Sequence, residues 1–226
     1  MDGILLVDKP ASWTSHDVVA KVRSLLKKES GQKIKVGHTG TLDPFATGLL
    51  ILVIGSYTKR AAEFSKMDKT YEAELTLGTT STTGDTEGEI TPKSAQKPTE
   101  EQVRAVLSQF EGQIEQTPHT YSAIKIGGQR AYKMARQGKE VKLEPRQVTV
   151  YSLEFIDYKY PKLSFTTKVS SGTYIRSLAE DIGKKLGTGA YLSALRRTSV
   201  GGFTVNQASS VDTLLNIGIR SKIKTL

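Results

Sequence analysis

The run Leu49-Leu50-Ile51-Leu52-Val53-Ile54 narrows the possible folds of this chain more than any other segment. It has no polar face to offer water. A strand of this kind is covered on both sides, so it belongs inside a layered sheet. Ile4 to Val7 reads as a second short buried strand. Tyr71, Ala73, Leu75 and Leu77 alternate with polar residues, which is the pattern of a strand with one buried face. Val148 to Ile156 and Leu163 to Val169 add two more strands. Lys33 to Val36 is expected as a strand leading into a glycine-rich loop.

Three helices are expected among these strands. The first follows Thr14 or Ser15, with Val18, Val19, Val22, Leu25 and Leu26 on one face. The second starts at Thr99, where Gln102 completes a capping box and Val103, Val106, Leu107 and Phe110 form the apolar side. The third carries Ile175, Leu178, Ile182 and Leu186, and Gly187 is placed to end it. The order lacks a regular strand–helix–strand rhythm. An α+β fold with a mixed, largely antiparallel central sheet is therefore expected. No repeat or linker divides residues 1–226, which read as a single domain. Thr79 to Pro98 is long and polar, and a structureless stretch of this length is more often functional or disordered.

Composition excludes several chemistries. There is no cysteine, so disulfides, thiolate metal sites and cysteine nucleophiles are ruled out. His16, His38 and His119 lack paired ligand spacing, so no metal site is expected. No apolar run reaches the ~18–20 residues of a membrane span. No basic leader or cleavage site precedes the first strand, so no secretion signal is expected. The net charge of +9 points to a polyanionic partner. Tyr121 to Val150 carries seven basic and two acidic residues, a local net charge of +5. If Gln129 to Gln137 is helical, Arg130, Lys133 and Arg136 share a face suited to a phosphate backbone.

Two short segments could carry chemistry. In Gly37-His38-Thr39-Gly40-Thr41-Leu42-Asp43-Pro44, Pro44 biases Asp43 away from helical geometry and holds its carboxylate in a loop. Such an aspartate is a candidate nucleophile or general base. The glycine spacing fits neither a Walker loop nor a dinucleotide fingerprint. In Ser170-Ser171-Gly172-Thr173-Tyr174-Ile175-Arg176, a glycine turn opens a helix. Arg176 gains nothing from the helix dipole there, so it is expected to pair with a carboxylate or bind phosphate. Tyr71 and Tyr174 are candidates to stack on an unpaired base.

These segments together resemble the TruB-type tRNA pseudouridine-55 synthases. The likeness runs from Ile4 to Phe203. It includes Lys9-Pro10, Trp13 to Val19, Gly37 to Leu50, Lys69-Thr70-Tyr71, Tyr121 to Lys125, Ala131-Tyr132, Arg136-Gln137-Gly138, Gly172 to Arg176 and Leu195-Arg196-Arg197. The resemblance implies the pseudouridine synthase fold. It also implies isomerisation of a uridine in the T-arm loop of tRNA, without cofactor or metal, by a cytoplasmic and monomeric enzyme. Asp43 is then the nucleophile, acting at ribose C1′, by assisting elimination to a glycal, or on the base. Arg176 would pair with Asp43, and Tyr71 would stack on the target base. His38 would occupy space vacated by the flipped nucleotide, and Tyr174 and Leu195 would line its pocket. Lys9 is a weaker RNA contact. Departures from the family pattern are Thr82, Ser171 and the short segment after Phe203, which leaves no room for a separate C-terminal RNA-binding domain. Grip on tRNA is then expected to rest on Arg130, Lys133 and Arg136.

Overall fold

The computed structural model describes residues 1–119, 125–131, 134, 137, 141 and 143–226, with the backbone alone at 125, 126 and 130. In chain order the elements are β1 (Gly3–Lys9), α1 (Ser15–Ser30), β2 (Val36–His38), β3 (Thr47–Ile54), α2 (Ala61–Ser65), β4 (Lys69–Leu77), β5 (Thr79–Ser81), β6 (Ile90–Pro92) and α3 (Glu100–Leu107). There follow β7 (Gly112–Gln116), β8 (Lys125–Ile126), β9 (Gln129–Arg130), β10 (Arg146–Lys159), β11 (Lys162–Val169), α4 (Ile175–Lys185), β12 (Ala190–Val200), β13 (Phe203–Thr204), β14 (Ser209–Ser210) and α5 (Val211–Ile217). The fold is α+β with mixed strand pairing. Two compact units form, one from residues 1–71 and 195–226 and the other from residues 72–194.

In the first unit, β3 is the central strand. It pairs antiparallel with β1 and β2, and parallel with β12 at Arg196 and Arg197. Its alternate side chains enter two different cores. Leu50, Leu52 and Ile54 meet Val18, Val19, Val22 and Leu26 of α1 and Leu214 of α5. Leu49, Ile51 and Val53 meet Tyr57, Phe64 and Val200. This explains the unbroken apolar run. Each such fully buried side chain contributes roughly 1.5–3 kcal/mol. Helix α1 begins where the sequence placed it. Thr14 accepts from the Asp17 amide, Asp17 answers the Thr14 amide, and Gly31 closes the helix at φ 72°.

In the second unit, β10 pairs antiparallel with β11 and β7, and two register shifts bend it. Helix α3 starts at the expected Thr99–Gln102 capping box. In α4, Ile175, Leu178 and Ile182 are buried, and the Gly187 amide donates to the Lys184 carbonyl just past its end.

Three expectations need correction. The strand expected at Lys33 to Val36 lies at Val36–His38, because its pairing to β3 spans Val36 to His38. Thr79 to Pro98 is not structureless. It holds the β5–β6 hairpin, and Thr82 bonds Glu89 twice, once through its amide and once through its hydroxyl. The helix expected over Gln129 to Gln137 begins later, since Gln129 and Arg130 pair with β8. Lys133, Arg136 and the Arg130 side chain lie outside the described residues, as do Tyr121 to Ile124.

Candidate active site

The Asp43 loop belongs to the first unit and is held from three directions. From β1, Lys9 reaches under it. The Lys9 ammonium donates to the carbonyls of Pro10 (2.8 Å), Trp13 (2.6 Å) and Pro44 (3.2 Å). From the start of α1, the Ser15 hydroxyl accepts from the Leu42 amide at 2.9 Å and lies 3.2 Å from the Leu42 carbonyl. From β12, the Arg197 guanidinium donates to Gly40 (3.1 Å) and Leu49 (2.7 Å), on either side of Asp43 in sequence. The Ala46 amide donates to the Asp43 carbonyl at 3.1 Å and closes a turn beneath the half-buried carboxylate. Gly48 has φ 102°, and a Cβ there would strike the Arg197 backbone.

This arrangement revises the reading of Lys9. Expected among the RNA contacts, it is 0% exposed, and its charge is met by protein carbonyls. It positions the loop instead. Lys9→Met would take the ammonium from the Pro10 and Trp13 carbonyls, at about 1–3 kcal/mol for each group left unmet, while the Pro44 carbonyl keeps the Ser12 amide. The expected result is a loss of at least ~2 kcal/mol in urea denaturation, with turnover falling as well.

A second buried cation lies nearby in the same unit. Lys69 opens β4, and its ammonium donates to Ser65 (2.6 Å) and Met67 (2.5 Å). Burial, and then the Arg197 charge, push its pKa down from 10.5 to about 8, while Asp68 opposes them. Between these two values the unfolded chain holds a proton that the folded chain has released. Stability therefore rises with pH through that window. In Lys69→Met this rise is expected to vanish, as read from unfolding midpoints at about pH 8 and 10.

Tyr71 lies two residues further along β4 and is buried at 8% exposure. His38 ends β2 opposite Leu52, and Leu195 is buried at 9% on β12. Lys9, His38, Asp43, Tyr71 and Leu195 thus all belong to the first unit.

Tyr174 and Arg176 belong to the second. Tyr174 caps α4, and both its backbone groups are bonded by the buried Gln116 side chain, at 2.7 and 3.0 Å. The Arg146 guanidinium stands 5.2 Å from the Tyr174 ring and donates to the Gly172 carbonyl. Arg176 is 5% exposed. Within this unit its NH1 lies 3.1 Å from a carboxylate oxygen of Asp85 and 3.0 Å from the Thr83 carbonyl. Asp85 is itself 1% exposed, and its other oxygen accepts from the Thr83 hydroxyl and the Glu87 amide. The need for a partner was legible from Arg176 at a helix start. That Asp85 meets Arg176 was not, because Asp85 lies ninety-one positions earlier in a polar loop. Gln116 carried no sequence signal at all.

Among the described residues, no three His, Cys, Asp or Glu side chains gather as a metal ion would need, and no helix is long and apolar enough to cross a membrane.

Residues 23–175 match the family profile described as TruB family pseudouridylate synthase, N-terminal domain. Residues 176–224 match that of the tRNA pseudouridylate synthase B C-terminal domain. The chain is 49% identical over 201 residues to the tRNA pseudouridine synthase B of Dechloromonas aromatica, spanning 89% of this chain and 66% of that protein. It is 43% identical over 215 residues to the protein of the same name from Opitutus terrae, spanning 95% and 87%. Among solved structures it superposes on the one titled "Crystal Structure of a Cbf5-Nop10-Gar1 Complex", with a TM-score of 0.73 and 29% identity over 97% of this chain and 57% of that one. It also superposes on "Structure of H/ACA RNP bound to a substrate RNA containing 2'-deoxyuridine", with a TM-score of 0.70 and 28% identity over 95% and 52%.

Proposed function

The chain belongs to the TruB family of pseudouridylate synthases, and from that premise we propose that it isomerises the uridine at position 55, in the T-arm loop of tRNA, to pseudouridine. The observation that carries this reading is the Asp43 loop, fixed through its backbone by Lys9, Ser15 and Arg197.

The reaction needs no external atom. The N1–C1′ bond breaks, the uracil turns, and a C5–C1′ bond forms. C5 then loses its proton and N1 gains one. Asp43 acts as the nucleophile, at C1′ directly, by way of a glycal, or on the base. Tyr71 supplies a ring for the flipped uracil, and its hydroxyl helps remove the C5 proton. Arg176, with its guanidinium fixed by Asp85, supplies a permanent cation to a site that RNA closes to water. His38 fills the space left by the flipped nucleotide, and Tyr174 and Leu195 bound its pocket. Unstacking the uridine costs a few kcal/mol, to be offset by these contacts. Arg130, Lys133 and Arg136 contact the RNA backbone. The enzyme works as a cytoplasmic monomer on 1–226 as a single catalytic domain, without cofactor or metal.

The test is tritium release from tRNA labelled at uridine C5. Release is expected from T-arm tRNA and is expected to disappear when uridine 55 is replaced by cytidine. Release that survives the replacement would remove position 55 as the target.

A further inference from the structure

We propose that the C-terminal end of α1, with the C-terminal segment packed on it, is a second RNA-binding face that takes the phosphate backbone of a stem flanking the target loop. The inference rests on the function proposed above and names a further part of the substrate.

Between Lys21 and Lys35 stand six basic residues, Lys21, Arg23, Lys27, Lys28, Lys33 and Lys35, and a single acid, Glu29. Glu29 does not soften this charge. Its carboxylate accepts from the Ile219 amide at 2.9 Å and lies 3.8 Å from the Arg220 guanidinium. Arg220 in turn donates to the Glu29 carbonyl at 2.8 Å. A further basic segment, Arg220, Lys222 and Lys224, almost two hundred positions away in sequence, is thus held beside this one, with Ile219 and Ile223 packed into the α1 core. Lys27, Lys28, Lys33, Lys35 and Arg220 are all exposed.

A bland account covers part of this. Cations in the last turn of a helix gain about 0.3–1 kcal/mol from its dipole, which accounts for Lys27 and Lys28. It does not account for Lys33 and Lys35, which lie beyond the helix, or for the basic residues of the tail beside them. Concentrating like charge costs self-repulsion, and a polyanion relieves it.

The face stands at a fixed reach from the proposed nucleophile, within one unit. Ser15, at the start of α1, is bonded to Leu42 beside Asp43. Midway along, Arg23 donates to the Val36 carbonyl at 3.1 Å and ties α1 to the strand that leads into the loop. From Ser15 to Lys27 the helix advances roughly 18 Å at 1.5 Å per residue. A nucleotide engaged at Asp43 therefore places its adjoining stem, rather than its loop, within reach of Lys27, Lys28 and Lys33.

The test uses the full chain carrying Lys27→Gln, Lys28→Gln and Lys33→Gln, three exposed substitutions. tRNA affinity is measured against salt, and turnover alongside it. If the face holds phosphates, the slope of log affinity against log salt becomes shallower by about 2, because each lost contact removes ~0.7–0.9. KM then rises on the order of tenfold near physiological salt, while kcat at saturation is unchanged. An unchanged slope overturns the proposal, and so does a fall in kcat with KM unchanged. The slope is read from binding alone. A wild type that binds tRNA without turning it over would sink the proposed reaction and leave this test standing.

Discussion

Asp43→Asn is expected to abolish tritium release from T-arm tRNA while leaving folding and tRNA binding close to wild type. The three clamps on this loop act on backbone carbonyls and amides of its neighbours, from Lys9, Ser15 and Arg197. An amide in place of the carboxylate disturbs none of them. A loss of turnover with folding and binding intact is then chemical. For a nucleophile that works as part of a unit it should reach at least ~10⁴-fold in turnover. Urea denaturation and filter binding serve as controls, because a misfolded variant would lose both. Mass spectrometry excludes deamidation back to aspartate. Turnover within tenfold of wild type would mean that Asp43 is not the essential group.

Asp85→Ala should destabilise the second unit. It removes one carboxylate from beside a 5% exposed guanidinium and takes an acceptor from the Thr83 hydroxyl and the Glu87 amide. Breaking a buried pair from one side costs about 3–5 kcal/mol, because the remaining charge cannot reach water. In a chain of this size that lowers Tm on the order of 10 °C. Removing both charges, as in Asp85→Leu with Arg176→Met, should recover much of the stability. If Arg176 also serves the reaction, the double variant stays inactive although folded. A double variant that regained both stability and turnover would show the pair to be structural only.

The legible parts of the fold were those written locally. The apolar run of β3, the Thr14 start of α1 and the Thr99–Gln102 capping box each need only a few neighbouring residues to be read. The Gly37 to Pro44 loop and Arg176 stood out for the same reason. What escaped depends on residues far apart in sequence. Lys9 looks like a surface cation until Trp13 and Pro44 are seen to surround it. Asp85 sits in a stretch of Thr, Gly and Glu that gives no hint of burial at 1% exposure. The tail from Ile219 to Lys224 shows no apolar periodicity, and its place beside α1 is held by Glu29, by Ile219 and Ile223 in the α1 core and by the Ile4–Lys224 backbone pair. Charge counting found the excess around Arg130 to Arg146 because it is contiguous. It missed the second concentration because the chain assembles it from two ends.

The clamp from Arg197 also sets a clock during synthesis. Gly40, which it holds, leaves the ribosome 157 residues before Arg197 does. At roughly 5–20 residues per second, that interval lasts about 8–30 s. Through nearly all of it the Asp43 loop has its full sequence and lacks one of its three supports. Residues 72–194 are all made during this interval and can settle first, whereas the first unit must wait for β12 to enter beside β3. A nascent chain therefore carries Asp43 early and gains the third support of its loop only once Arg197 has been made.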